Sequence, residues 1–538
     1  MARENNLKEE IEMKRKLALI LAMIMMLSVF AGCGSKEEAP AETAAQSGEA
    51  AAAPAAAEQL DIVRVGVTAW PASLDPITKM GWTQTRILYQ VYDTLLYCND
   101  DSTISSYICD SWTRIDDDTT EYKLKEGITF HNGYPLTAED VKFTFDRVLF
   151  DDTGYCDPNV TAVVNTIESV EVVDELTVRM VTSIPDPIIF DRLASSLGVY
   201  IVSKQYIEEV GNETFGVSPV GTGPFKVDSI TPENLMLSYY EGYYGEKPAM
   251  KQLEYRYYSE EMAMVTSLIT GEIDLANNMT PTAAKMLEGQ SNLQLFSQPY
   301  STSHMLRIKT HDAVTADKKL RQAMSLAIDR QLLVDTLWEG YASIPNGYNY
   351  EEFGQYYVAD YPTYQYDPEL AKQLVEESDY DGSVISYQLI PGYYAMGAEA
   401  AEAIVDMWKQ VGINAQVEYV EAIKPATITD MANWSNGLRF SDPLGGLWAL
   451  WGEGTAVQKD LWEAPARFNE LGNLIMTEAD VAKRNEYYAE MMAIWDEEIP
   501  GTILYCPDMI WAVRNGLEWD YAPGKGVNFR ADHLRVTE

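Results

Sequence analysis

Only four of the 538 residues are histidine, and His131, His304, His311 and His533 lie too far apart to form a metal-ligand spacing. Five cysteines are present without a single CxxC pair, which excludes zinc ribbons and thioredoxin-type redox chemistry. GxSxG, HExxH and P-loop motifs are missing, so the common signatures of a serine hydrolase, a zinc protease or an NTPase are absent. Basic residues are few: 40 Lys and Arg against 82 Asp and Glu leave a formal charge of −42. A basic face is what releases counterions from nucleic acid or attracts anionic lipid, so neither is a partner. The excess of acid instead favours solubility.

Long apolar runs are lacking too, with one exception. Lys14, Arg15 and Lys16 precede a stretch from Leu17 to Ala31, 15 residues long. A helix needs about 20 apolar residues to cross a bilayer core, so this stretch reads as an export signal and not as an anchor. It ends in Ala31, Gly32 and Cys33, small residues before a cysteine, which is similar to a bacterial lipobox with Phe30 where Leu is usual. That pattern implies acylation of Cys33 and a mature chain beginning there. Residues 1–12 carry Glu4, Glu9, Glu10 and Glu12, which suits an export signal poorly, so Met13 is the expected start. Residues 34–58 are Gly, Ser, Ala, Glu and Pro with almost nothing to bury, the composition of a disordered tether.

From Leu60 onward the composition is globular, with 46% apolar residues, 12 Trp and 34 Tyr in the whole chain. About 480 residues exceed a single hydrophobic core, so two or three subdomains are expected. Asp61 to Thr68 alternates β-branched apolar residues as a strand does. Thr137 precedes Ala138, Glu139 and Asp140, a capped helix start with Val141, Phe145 and Val148 on one face. The same logic predicts helices after Asp317, after Asp329 as far as Gly340, and from Pro368 after Asp367. Ala400, Ile404, Trp408 and Val411 repeat at helical spacing, Gly412 ends that helix, and Ala415, Val417 and Tyr419 alternate in a strand. This succession is that of α/β lobes. Cys98, Cys109, Cys156 and Cys506 allow three disulfide pairings, and sequence does not choose among them. The glycines of Gly221-Thr-Gly223-Pro are expected to turn the backbone where a strand begins, and His131-Asn-Gly133 to form a tight turn.

Several segments then occur in one order: SLDP at 73–76, YDTLL at 92–96, Ser111-Trp112, KEGITFHNGYPLTAEDV at 125–141, GTGPF at 221–225, GEID at 271–274, RQA at 321–323 with AID at 327–329, and YDP at 366–368. Together they resemble the family 5 extracellular solute-binding proteins, receptors of ABC importers for peptides, nickel complexes and related solutes. The resemblance implies an α/β, two-lobed periplasmic-binding-protein fold of type II, cluster C, with an extra N-terminal subdomain. On that pattern 1–32 is the signal peptide and 33–58 the tether. The first lobe takes 59–80, 190–304 and 505–538, the extra subdomain 81–189 and the second lobe 305–504, with crossings near His304 and Tyr505. It further implies a monomer without cofactor or metal, tethered by lipid outside the cytoplasm and partnered by membrane permease subunits.

Two ionic anchors of peptide binders are altered. Where an Asp of the Asp-Pro segment would pair with a peptide α-amino group, Arg439 precedes Asp442-Pro443; where an Arg would hold the carboxylate two residues before a cleft Tyr, Pro391 precedes Tyr393. Either the ligand presents an acceptor or anion to Arg439, or the segments pair with a slip, or Arg439 is a solvated loop residue. What remains is aromatic, and Trp70, Tyr393, Tyr394 and Trp434 join Arg439 as the candidate ligand-binding residues, while Trp448 and Trp451 read as packing. The competing readings are a lipid-anchored hydrolase, with a carboxylate pair hidden among many acids, and a ligand-sensing receptor.

Overall fold

The computed structural model describes residues 59–78, 82–99, 102–195, 198–299, 302–520, 527–531 and 533–537. The export signal, the tether and Cys33 lie outside the described residues. The strands that build the site are β1 (Leu60–Val67), β2 (Met250–Tyr257), β3 (Leu275–Asn277), β4 (Leu293–Pro299), β5 (Thr302–Ile308), β6 (Ile385–Leu389), β7 (Ala415–Tyr419), β8 (Met431–Gly437) and β9 (Gly501–Arg514). They run side by side in the order β7-β6-β8-β5-β9-β3-β1-β2, extended by Asn234–Tyr239 and Phe225–Ile230.

One strand holds the two halves together. The first residues of β9 pair antiparallel with β5, His304 opposite Tyr505 and Arg307 opposite Gly501. Its later residues pair with β4 from Asp508 to Arg514 and with β3 from Trp511 to Val513. The pairing of β5 with β9 slips between His304 and Met305, a bulge that re-aims the strand. On either side of this crossing lies a separate core. Val63, Val65, Leu253 and Tyr255 anchor one, and Leu306, Met324, Ile404 and Trp408 the other.

A third core lies partly under a four-stranded antiparallel sheet, in the order Cys109–Arg114, Thr119–Leu124, Thr177–Thr182, Ile167–Asp174. Helix α1 (Ala138–Leu149) covers it with Val141, Phe145 and Val148, all buried. Thr137 starts the helix as its sequence suggests: its N–H and hydroxyl both donate to Asp140 Oδ2 at 2.9 Å. In the second half, Asp317 caps α2 (Lys318–Leu326), Asp329 caps α3 (Arg330–Leu337) and Asp367 caps α4 (Pro368–Glu377). Helix α5 (Gly397–Gln410) and β7 follow as expected, with Gly412 at φ 90° between them.

The two sequence turns meet each other. Gly133 takes φ 88°, the left-handed conformation that glycine permits, and its N–H donates to Phe130 O. His131 reaches across to the other motif, where Gly221 N–H donates to its Nδ1 at 3.2 Å and its Nε2 lies 3.0 Å from Gly223 O. Burial lowers the imidazole pKa to about 4, so the ring is neutral with its proton on Nε2. Residues 222–224 bend directly before the strand Phe225–Ile230, as the sequence suggests, yet neither Gly221 nor Gly223 takes a positive φ. They are needed for proximity: a Cβ on Gly221 would sit 2.1 Å from Val91 O, and one on Gly223 2.6 Å from Gln90 O.

Among the described residues Cys109, Cys156 and Cys506 are free thiols, no three His, Cys, Asp or Glu side chains gather to hold a metal, and no helix is long and apolar enough to cross a membrane.

Candidate functional site

β6 and β7 are parallel, and β8 continues this direction beside β6 through Tyr387 opposite Met431 and Gln388 opposite Ala432. Past Ala432, β8 leaves β6 and keeps only β5, down to Thr302 opposite Gly437. Where strands diverge at their carboxyl ends, open α/β sheets leave room for a ligand. Residues 390–396 leave β6 at this place. Met396 there holds φ 56°, a left-handed conformation costly for a side chain with Cβ, and it delivers the amino end of α5 to Asn433.

Three of the residues singled out from the sequence lie on or beside β8, Tyr393 and Tyr394 on one face and Trp434 on the other. Tyr393 and Tyr394 stand edge to face with ring centroids 4.8 Å apart, the first exposed and the second half-buried. Ser435 Oγ donates to Tyr394 Oη at 3.1 Å, and the Tyr394 ring lies 5.0 Å from His304. Trp434, half-buried on the opposite face of β8, carries a guanidinium over its indole: Arg307 Cζ is 3.8 Å from the ring centroid. The register explains the contact, because Met305 opposes Trp434 and Arg307 is its diagonal neighbour on the same face.

Arg307 was not among the sequence candidates. It is 2% exposed, its Nε has no partner, and among the described residues no carboxylate pairs with it. Burial, with the nearby Arg439 charge adding to it, lowers its pKa to about 9, while the Tyr348 and Tyr394 hydroxyls act in the opposite sense. The sequence TSHMLRI gives no signal for it; the structure does, since every residue of β5 is buried. Four more buried polar atoms without partners lie on the same strand pair: Asn436 Nδ2 on the face of Arg307, and Thr302 Oγ1, His304 Nδ1 and Asn433 Oδ1 on the other. Burial lowers the His304 pKa to about 4, so its imidazole is neutral. Buried polar atoms of folded proteins are nearly all paired, so this concentration singles out β5 and β8 as the candidate site.

The other two candidates lie further away. Arg439, just beyond β8, bridges to the region of α1: its Nη2 donates to Asn159 Oδ1 at 2.9 Å and Ser195 Oγ donates to its carbonyl. Burial lowers its pKa and Asp157 offsets this. Its side chain borders a cavity of about 270 Å³ shared with Asn165, Arg192, Phe440 and Trp448. Asp442, three residues on, is fully buried against Arg484 at 2.6 Å and is therefore a framework group. Trp70 follows β1 on the far side of the β9 crossing, half-buried and 6.0 Å from the Tyr257 ring. Trp451 is core, as its sequence context suggests, in a cluster with Trp462 and Trp495.

Residues 103–458 match the family model for bacterial extracellular solute-binding proteins, family 5, middle region. The glutathione-binding protein GsiB of Salmonella paratyphi A is 24% identical over 375 residues, covering 69% of this chain and 72% of that one. Among solved structures, the periplasmic binding protein DppA of Helicobacter pylori in complex with peptide STSA superimposes with a TM-score of 0.78 at 19% identity, over 89% of this chain and 99% of that one. NikA of Brucella suis in complex with Fe(III)-EDTA gives 0.79 at 21% identity, over 88% and 100%. The expected α/β fold of the periplasmic binding proteins is thus the observed one.

Proposed function

The chain belongs to family 5 of the bacterial extracellular solute-binding proteins, and from that premise we propose that it captures a peptide or peptide-like solute outside the cytoplasm for an ABC importer. It is a binding protein and not an enzyme. Cys33, acylated after removal of residues 1–32, tethers it to the membrane, and residues 33–58 give it reach. Lobe I takes 59–80, 190–304 and 505–538, and lobe II takes 305–504. Residues 81–189 form the added subdomain, and the crossings at His304 and Tyr505 serve as the hinge. Closure follows from differential contact: a solute held by one lobe gains partners on the other, which shifts the population toward the shut form that the permease recognises.

The observation that carries this reading is the meeting of unpaired polar atoms on β5 and β8 with the half-buried rings of Trp434 and Tyr394, beside the point where β9 crosses between the halves. Peptides are favoured because the relatives named above include binders of glutathione and of a peptide. Aromatic faces suit such ligands by stacking and apolar burial. Thermal-shift screening of the protein against peptide, sugar and metal-chelate libraries identifies the solute class, since a ligand of the folded state raises the melting temperature by mass action. With a hit in hand, Trp434→Ala is expected to weaken binding about thirtyfold, roughly 2 kcal/mol, as for a buried aromatic anchor. Arg439→Ala, its side chain already engaged by Asn159, is expected to weaken it less. Calorimetry showing unchanged affinity in Trp434→Ala removes β8 from the site.

A further inference from the structure

The other buried arginines described here show what a framework arginine looks like in this protein. Arg192 pairs with Asp186 at 2.8 Å, Arg484 with Asp442 at 2.6 Å and Arg530 with Asp93 at 2.7 Å. Arg330 Nε donates to Ile503 O at 2.7 Å and its Nη2 to Thr502 Oγ1 at 2.7 Å; Arg321 Nη2 donates to Glu498 O at 2.8 Å. Arg307 has the burial of these residues and none of their partners. Its Nε is sealed and unpaired, and its terminal nitrogens have no carboxylate or carbonyl partner among the described residues. A buried charge left unpaired is costly, and a protein retains one where function supplies the missing partner.

The surroundings define that partner. Trp434 covers one face of the guanidinium, which fixes the plane of the fork. The Tyr348 and Tyr394 hydroxyls act on it in its favour, and the one charged side chain acting on it is a second cation, Arg439. A planar fork with an aromatic floor and a like-charged neighbour matches a carboxylate, which accepts two parallel N–H bonds and offsets the repulsion between the two cations. The overall charge of −42 disfavours anions at long range, so recognition of one needs such a local positive site.

We propose that Arg307 receives a carboxylate of the transported solute, so that the protein selects acids over their neutral analogues. This deepens the solute-capture reading and rests on it for the placement of the cleft. The experiment uses matched pairs with the purified protein: glutathione and its glycine amide, trialanine and trialanine amide, succinate and succinamide. Thermal shift finds the pairs that bind, and calorimetry compares their members.

At least one acid is expected to bind about a hundredfold more tightly than its amide, the range for a buried charge pair broken on one side. Arg307→Met is expected to bring the acid down to the amide's affinity and to leave the amide unchanged, while Arg307→Lys keeps part of the preference. Without ligand, Arg307→Met is expected to melt about 2 °C higher, because it removes an uncompensated charge. Equal binding of acid and amide in the unaltered protein overturns the assignment and leaves solute capture standing. Binding of succinate with no peptide of either form upholds the carboxylate site and overturns the peptide reading. A lower ligand-free melting temperature in both Arg307→Met and Arg307→Lys identifies a framework residue and overturns the assignment even if no pair binds.

Discussion

Asp442→Ala is expected to lose 3–5 kcal/mol of stability, approximately the cost of leaving one member of a buried ion pair alone. The carboxylate accepts from Arg484 Nη2 at 2.6 Å and from Leu444 N at 2.9 Å, with both side chains at 1% exposure or less. Arg484 keeps main-chain acceptors at Ile475 and Glu478, but these are neutral. Replacing both partners, as in Asp442→Leu with Arg484→Met, is expected to cost far less, since no charge is then buried. Chemical denaturation of the two variants separates a broken pair from lost packing.

The neighbour Asp191 adds a pH signature. Burial first, and the Asp442 charge second, raise its pKa to about 7. The folded chain therefore holds a proton there that the unfolded chain releases near a carboxylate pKa of about 3.9. Folded protein binds more protons than unfolded across this window, so this group's contribution is full below pH 4 and is lost as pH rises toward 7. In Asp442→Ala the like charge is gone, the window narrows from above, and the decline of stability between pH 4 and 7 is expected to flatten. An unaltered slope would show that Asp191 does not sense Asp442.

Gly221→Ala is the second large effect, about 4 kcal/mol or enough to prevent folding. Its Cβ would lie 2.1 Å from Val91 O and 2.8 Å from a Tyr92 ring carbon, and the first of these is main chain that cannot swing aside. Relief by moving residues 221–225 would pull Gly221 from His131, breaking the bond to Nδ1 and leaving a buried imidazole without its acceptor role. Gly127→Ala is the control. Gly127 has φ 77° and nothing within 4 Å of an added Cβ, so its cost is conformational only, about 1–2 kcal/mol. Melting temperatures in which Gly127→Ala falls as far as Gly221→Ala would contradict the role assigned to close approach.

The contrast between these glycines shows what the sequence held and what it did not. Local signals were legible: Thr137, Asp317, Asp329 and Asp367 cap the helices they precede, and Gly133 and Gly412 take positive φ where a turn and a helix end were read. Gly221 looks the same in one dimension but answers to Val91, a residue far along the chain. The site divides in the same way. Tyr394 and Trp434 were read as aromatic residues that remain once the two ionic anchors are altered, whereas Arg307 depends on β5 lying against β8, over a hundred positions later, and against β9 beyond it. In sequence it is one arginine among 40 basic residues; the strand pairing makes it a buried cation without a partner. Trp70 was grouped with the aromatic residues of the second half on chemistry alone, and the structure sets it across the β9 strand from them.

The central claim is that a solute bound at β5 and β8 draws two halves together about the crossings near His304 and Tyr505. Small-angle X-ray scattering of the purified protein with and without a saturating solute, one already verified by calorimetry, tests it most directly. A smaller radius of gyration and a shorter maximum dimension in the bound state are predicted. Superimposable scattering curves for the free and bound protein would contradict hinged closure.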